Sequence, residues 1–174
     1  MSGQHGISLE LLLPHLEGVT VEAAELTGCR LCIWARARAG HDACPRCGQP
    51  SGRVHSTDGR RLADAPIGGR RVVLRLAVRR FFCDNPGCPA VTFTEQIDGL
   101  TSRHARRTPP LRRMLAGVAL ALAGRAGSRL AGVLDLAVGR SSLLRLVMAL
   151  PDPGTEMVRV LGVDLSRSWD YPDC

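Results

Sequence analysis

Cys44-Pro-Arg-Cys47-Gly48 and Cys83-Asp-Asn-Pro-Gly-Cys88 place four thiols in two close pairs, separated by a strand-like stretch. Thiolates hold Zn²⁺ at about 2.3 Å in a closed tetrahedron, and two close pairs on turns rich in Gly and Pro have the spacing of such a site. Four sulfurs leave no coordination position for water, so the ion would tie two turns together rather than catalyse. Cys44, Cys47, Cys83 and Cys88 are the expected ligands, with Zn²⁺ as a structural cofactor. The competing reading, four small buried hydrophobes, leaves the pairing at turns unexplained.

Cys29-Arg-Leu-Cys32 has the same nominal spacing in a different setting. It lies in a strand-like run, where residues three apart point to opposite faces, and it has no Gly, Pro or partner pair beside it. These two read as packing cysteines. His41 and His55 flank the first knuckle and read as solvated loop histidines, and Cys174 near the end has no partner in the pattern.

Those sulfurs sit in a basic chain. The formal charge is +7 over 174 residues, and all 23 basic residues are Arg. Arg suits bidentate contacts to phosphate and guanine, although a GC-rich genome would also favour it. Either way the positive field favours a polyanionic partner. Hydrophobic residues make up 45% of the chain, which argues for folded structure. Only six aromatics are present (Trp 2, Tyr 1, Phe 3), so the cores must be built from Leu, Val and Ala. Small modules with such light cores often lean on a metal. No 18-residue apolar run is free of charge and the first residues lack a signal-peptide pattern, which predicts a cytoplasmic protein with no membrane partner. There the thiols stay reduced, favouring metal over disulfide.

The elements that must carry the sulfurs are strands. A helical start at Ser8–Leu13 is broken by Pro14, and runs at Val19–Leu26 and Cys29–Ala37 read as strands around a Thr27-Gly28 turn. Arg60–Asp64 and Arg71–Phe82 read as two more, joined by Pro66-Ile67-Gly68-Gly69. In the second, Val72, Leu74, Leu76 and Val78 form one apolar face. A short strand at Val91–Phe93 follows the second knuckle.

From Thr101 the period turns helical. Thr108 caps, Pro109 suits the first helical position, and Leu111, Leu115, Val118 and Leu122 share a face up to a stop at Gly124. A second helix spans about 128–134, with Leu130, Val133 and Leu134 inward, and a third about 141–150, with Leu143, Leu146, Val147 and Leu150 inward. Three short helices, the last two joined by a turn about two residues longer than the tight version, suggest a helix-turn-helix. Arg140, Ser141, Ser142 and Arg145 are then expected at base edges, with Arg125 and Arg129 on phosphates. Arg103, Arg106, Arg107, Arg112 and Arg113 would track the backbone of double-stranded DNA. A plain three-helix bundle with a solvated basic face is the bland alternative. Met157–Asp164 reads as a buried strand ending in an acidic residue.

The order of these parts resembles the ISL-three family of bacterial insertion-sequence transposases. Cys44-Pro-Arg-Cys-Gly, Arg61-Leu-Ala-Asp-Ala-Pro-Ile-Gly-Gly and Val78-Arg-Arg-Phe-Phe-Cys-Asp-Asn-Pro-Gly-Cys carry the resemblance most specifically. It extends through Phe93-Thr-Glu, Arg106-Arg-Thr-Pro, Gly124-Arg-Ala-Gly and Arg140-Ser-Ser-Leu-Leu-Arg to Arg159-Val-Leu-Gly-Val-Asp164, so it spans roughly residues 10–164. The resemblance implies a zinc-binding domain and a helix-turn-helix that recognise terminal inverted repeats, followed by a ribonuclease-H-like catalytic domain with an acidic triad. Asp164 would be the first carboxylate of that triad, yet Leu165-Ser166 replaces the acidic residue expected next. One Asp cannot clamp two metal ions about 3.5–4 Å apart. The expectation is a truncated transposase without catalysis of its own, Asp164 being a remnant.

The predicted fold class is α+β. Residues 1–40 would form a helix and β-hairpin, 41–98 a small β-rich zinc-ribbon-like module, 99–152 the three-helix helix-turn-helix, and 153–174 the start of a catalytic domain with one terminal strand. The expected function is zinc-dependent DNA binding, with a homo-oligomer or an intact transposase as further partners. A zinc-stabilised protein-interaction module, or a transposase subunit acting only with an intact partner, is the alternative.

Overall fold

The structure is a computed structural model and describes residues 13–151. The expected strand at 157–164, Asp164, Cys174 and nearly all of the expected first helix lie outside the described residues.

Seven strands come first. They are β1 (Val19–Thr27), β2 (Arg30–Ala37), β3 (Asp42–Ala43), β4 (Pro50–Ser51), β5 (Val54–Ile67), β6 (Arg70–Phe82) and β7 (Thr92–Thr94). Helical segments α1 (Pro109–Val133) and α2 (Arg140–Met148) follow. The fold is thus α+β, a β-rich front followed by a helical region, as predicted. Pro14 starts a 3-10 turn, Pro14–Leu16, which suits a residue with no amide hydrogen and a fixed φ.

The main sheet has the order β1-β2-β6-β5, with β7 also paired to β6. β1–β2 and β5–β6 are antiparallel hairpins, and Gly68 and Gly69 take φ of +56° and +71° at the second turn, as a two-residue hairpin loop requires. β2 pairs with β6 in parallel, Arg30 opposite Arg71 through Arg36 opposite Ala77. The N-terminal hairpin therefore shares one sheet with the strands that lead to the metal knuckles. β5 extends from Val54, not Arg60, because its polar N-terminal half pairs with Ala77–Phe81. Residues 54–59 of β5 are exposed apart from half-buried Ser56, so no apolar alternation marks them.

Register fixes two faces. Ile33, Leu74 and Leu62 lie side by side across β2, β6 and β5. With Ala35, Val72, Leu76 and Val78 they form the main core, closed by Leu13, Leu16, Ile97 and Leu100. The opposite face carries Trp34, Arg75 and Arg61 in one row and Cys32, Val73 and Ala63 in the next. Val73 is buried there as well. Cys29 is exposed in the β1–β2 turn and Cys32 half-buried, so the packing expectation fails for Cys29, whose turn position offers nothing to pack on.

The helical region is tied to the free edge of β5. Ala63 donates its N–H to Arg106 O, and Thr108 donates to Ala63 O, both at 2.9 Å. Thr108 caps α1 as predicted, accepting from Leu111 N with Pro109 at the first position. Helical backbone runs unbroken through Gly124, but it doubles back. A Cβ added at Gly127 would stand 3.4 Å from the carbonyl oxygen of Val118. In a straight helix nine residues rise about 13 Å. α1 is therefore two arms meeting at a sharp corner between these residues, in the stretch that holds Gly124. With α2 this makes three helical pieces around a common core of Leu111, Leu115, Ala119, Ala131, Leu136 and Leu143.

Which residues face inward differs from the periodicity. Leu122 and Leu130 are 40% and 38% exposed, Leu134 is 42% and Val133 80% exposed. Gly127 and Ala131 face inward instead. The arms and α2 approach too closely for large side chains: a Cβ at Gly127 would meet Leu143 at 3.2 Å, and one at Gly124 would meet Arg140 Cγ at 2.7 Å. On α2, Leu143 is buried and Leu146 and Val147 half-buried as expected, while the helix ends at Met148 and Leu150, beyond it, is exposed.

Candidate metal centre and basic surface

The first knuckle sits at the tip of the β3–β4 ribbon, in which Asp42 pairs with Ser51 and Ala43 with Pro50. Cys44 N donates to Gln49 O and Gly48 N to Cys44 O, closing the loop, and Gly48 takes φ +73° to let the chain turn. The second knuckle fills the β6–β7 connection. Cys83 N donates to Val91 O, Cys88 N to Asn85 O, and Gly87 N to the Asn85 side chain at 2.9 Å. Phe81 and Phe93, opposite one another in the β6–β7 pairing, pack beneath with Cys44.

These turns bring Cys44, Cys47, Cys83 and Cys88 together, with all four Sγ atoms within 4.8 Å of one another. The Cys44–Cys88 and Cys47–Cys83 sulfurs are 4.0 and 3.6 Å apart. Sulfurs bound tetrahedrally at about 2.3 Å from one ion stand ~3.8 Å apart, so the cluster can coordinate a structural Zn²⁺. Among the described residues no other cluster of His, Cys, Asp and Glu could hold a metal. His41 and His55 are exposed and outside it, and His55 packs edge-on to Phe82 at 4.9 Å.

The thiols ionise unequally without metal. The backbone amide of Gln49 brings Cys47 from 9.0 down to about 7. The Asn85 amide also lowers Cys83, but burial and the neighbouring sulfurs together outweigh it and push that thiol up to about 12. Cys88 is raised too, burial and Cys47 overcoming the Ala90 amide. Adjacent sulfurs cannot all carry charge unaided, and a divalent cation supplies the compensation.

The arginines expected to meet DNA fall in two groups. Arg103, Arg106, Arg107 and Arg112, with His104, line a crevice of about 240 Å³ that reaches Leu146 of α2. Arg113 is exposed on the next residue of the same helical turn. On the helix-turn-helix-like part, Arg125, Arg129, Arg140, Ser141 and Arg145 are exposed and Ser142 half-buried. Gly139 precedes α2, so Arg140 and Ser141 occupy its first turn. Arg140 lays its methylene stem over Gly124. Arg30, Arg61 and Arg75 on the open sheet face were not among the expected residues, because basic residues alternating in a strand read only as its solvated side. No described helix is long and apolar enough to cross a membrane.

Residues 41–88 match the family described as the zinc-finger of transposase IS204/IS1001/IS1096/IS1165. The chain is 39% identical over 69 residues to a Bordetella parapertussis protein named transposase for insertion sequence element IS1001. That stretch is 40% of this chain and 17% of that protein. No solved structure matches the chain.

Proposed function

On the premise that residues 41–88 form an ISL-three family zinc-ribbon domain of transposase type, we propose that this chain binds double-stranded DNA and recognises the terminal inverted repeats of an insertion sequence. The observation that carries this reading is the coincidence of that match with four sulfurs at tetrahedral spacing. In it the ion holds the β3–β4 ribbon and the β6–β7 turn on the end of the sheet and does no chemistry on DNA. The first turn of α2, with Arg140, Ser141, Ser142 and Arg145, reads base edges in the major groove. Arg103, Arg106, Arg107, Arg112 and Arg113 hold the phosphate backbone, with Arg125 and Arg129 beside them. The reading assigns the described residues to binding and none to strand cutting, which requires a carboxylate cluster.

The test is a mobility-shift titration of the zinc-loaded chain on terminal-repeat and scrambled duplexes. Tighter binding to the repeats, weakening steeply with salt, is expected. Equal affinity for the two would end the claim of specific recognition.

A second reading, self-association, has its own support. Leu130 and Val133 on the second arm of α1, and Leu134 just after it, are exposed, and Met148 of α2 is 83% exposed. Sedimentation of the zinc-loaded chain at micromolar concentration separates a dimer from a monomer.

A further inference from the structure

The face of the sheet away from the main core is unusually basic. β2, β6 and β5 contribute Arg30, Arg71, Arg75 and Arg61 to it, in the rows set by the register. Where the 135–138 turn approaches this face, a crevice of about 170 Å³ opens, with Arg30, Arg61, Arg71 and Arg107 on its walls and Val73 and Leu136 in its floor.

The charges there are incompletely compensated. Arg71 reaches Asp135 at 3.3 Å. Asp64, the other carboxylate lining the crevice, is 3% exposed, and its oxygens already accept from His15, Thr108 and the Ala65 amide. Arg30, Arg61 and Arg107 have no carboxylate partner among the described residues. Farther along the face Arg75 lies over Trp34, its carbon 5.8 Å from the ring centroid. Its guanidinium has no carboxylate partner among the described residues. Arg107 lines this crevice and also the one formed by Arg103, Arg106 and Arg112, so it links the linker arginines to those of the sheet.

We infer that the open sheet face is a second docking surface for the duplex backbone, with one phosphate seated in the crevice among Arg30, Arg61, Arg71 and Arg107. The inference rests on the DNA-binding reading above. Arg30, Arg61, Arg71 and Arg107, from three strands and the linker, line one water-accessible crevice, and forked guanidinium groups suit the oxygens of a phosphate placed there. Contacts of this kind add affinity and set the protein's orientation on the duplex without choosing sequence.

The test compares the zinc-loaded parent with Arg30→Gln/Arg61→Gln and with Arg140→Gln/Arg145→Gln, titrating repeat and scrambled duplexes between 50 and 200 mM salt. Arg30 and Arg61 are exposed, so the melting temperature should match the parent's and certify the fold. The sheet variant should lose roughly tenfold on both duplexes, and its slope of log affinity against log salt should shrink by about 2. The helix variant should lose its preference for the repeats. If the sheet variant keeps parental affinity and slope while the helix variant loses the repeats, the docking surface is wrong and the DNA reading stands. A parent that binds neither duplex overturns both. Retention of the parent on polyglutamate but not on DNA, lost in the sheet variant, would reassign the face to an acidic protein.

Discussion

The hydroxyl of Thr108 donates to a buried carboxylate oxygen of Asp64, 44 residues earlier in the chain. The same hydroxyl caps α1 by accepting from Leu111 N, and the other oxygen of Asp64 accepts from His15 Nε2 at 2.7 Å. One acidic side chain thus joins the first turn of the described chain, the end of β5 and the start of the helical region. Thr108→Ala removes a cap and leaves a buried acceptor short of a partner, which should cost about 2–3 kcal/mol in urea unfolding. Thr108→Ser should recover most of it, because the hydroxyl is what both contacts use.

Metal removal should act locally. The main core of Ile33, Leu62, Leu74 and Leu76 contains no sulfur, whereas Cys44, Phe81 and Phe93 form a separate small cluster. Chelation, or Cys44→Ser, is expected to abolish stoichiometric zinc and to expose the amides of β3, β4 and β7 to hydrogen exchange. Amides of β6 from Val72 to Val78 should stay protected. Loss of protection throughout the sheet would mean that the ion holds the whole front together.

Acid should release the ion. Binding needs four thiolates, and without metal Cys83 is pushed up to about 12 while Cys47 is held down at about 7. Zinc must therefore displace protons from the raised thiols, so its apparent affinity falls as pH is lowered and rises with pH. Proton release on zinc addition, followed in weak buffer, checks this. In the metal-free protein Cys47 is depressed, so it is the thiolate above about pH 7 and should be alkylated first there, with the reaction fading as pH drops through that value.

Widening the helical corner should separate folding from metal binding. Gly127 leaves 3.2 Å to Leu143 and 3.4 Å to the Val118 carbonyl for a first side-chain carbon. Gly127→Leu must push the arms and α2 apart, at a cost of about 1–3 kcal/mol or more. Thermal melting should fall and duplex binding weaken while zinc content stays at one per chain.

The strands of the core and the metal ligands were legible because each rests on a short-range pattern. Val72, Leu74, Leu76 and Val78 alternate within one strand, and each cysteine pair lies within six residues. The parallel partnership of β2 and β6 left no such trace. Both strands are apolar on one face, and nothing local says which edge meets which. Gly124 lies in the stretch where the helix bends, but it is not the expected stop, since helical backbone continues to Val133, and the inward face differs because the packing there depends on small residues. Gly127 and Ala131 are inside and Val133 outside, the reverse of what hydrophobicity predicts. The basic sheet face was missed because a strand's exposed arginines acquire meaning only beside Arg107, which reaches them through the Ala63 bridge.

That parallel partnership constrains how the chain is made. β2 meets β6 with Arg30 opposite Arg71, so the β2 edge of the first hairpin emerges from the ribosome bare and must wait for the later strand. The knuckles at Cys44 and Cys83 stand on either side of the awaited segment. An ion captured early would shorten the loop that has to close and speed the search. Nascent chains starved of zinc would leave β2 uncovered for longer, and it is there that association between unfinished copies would begin.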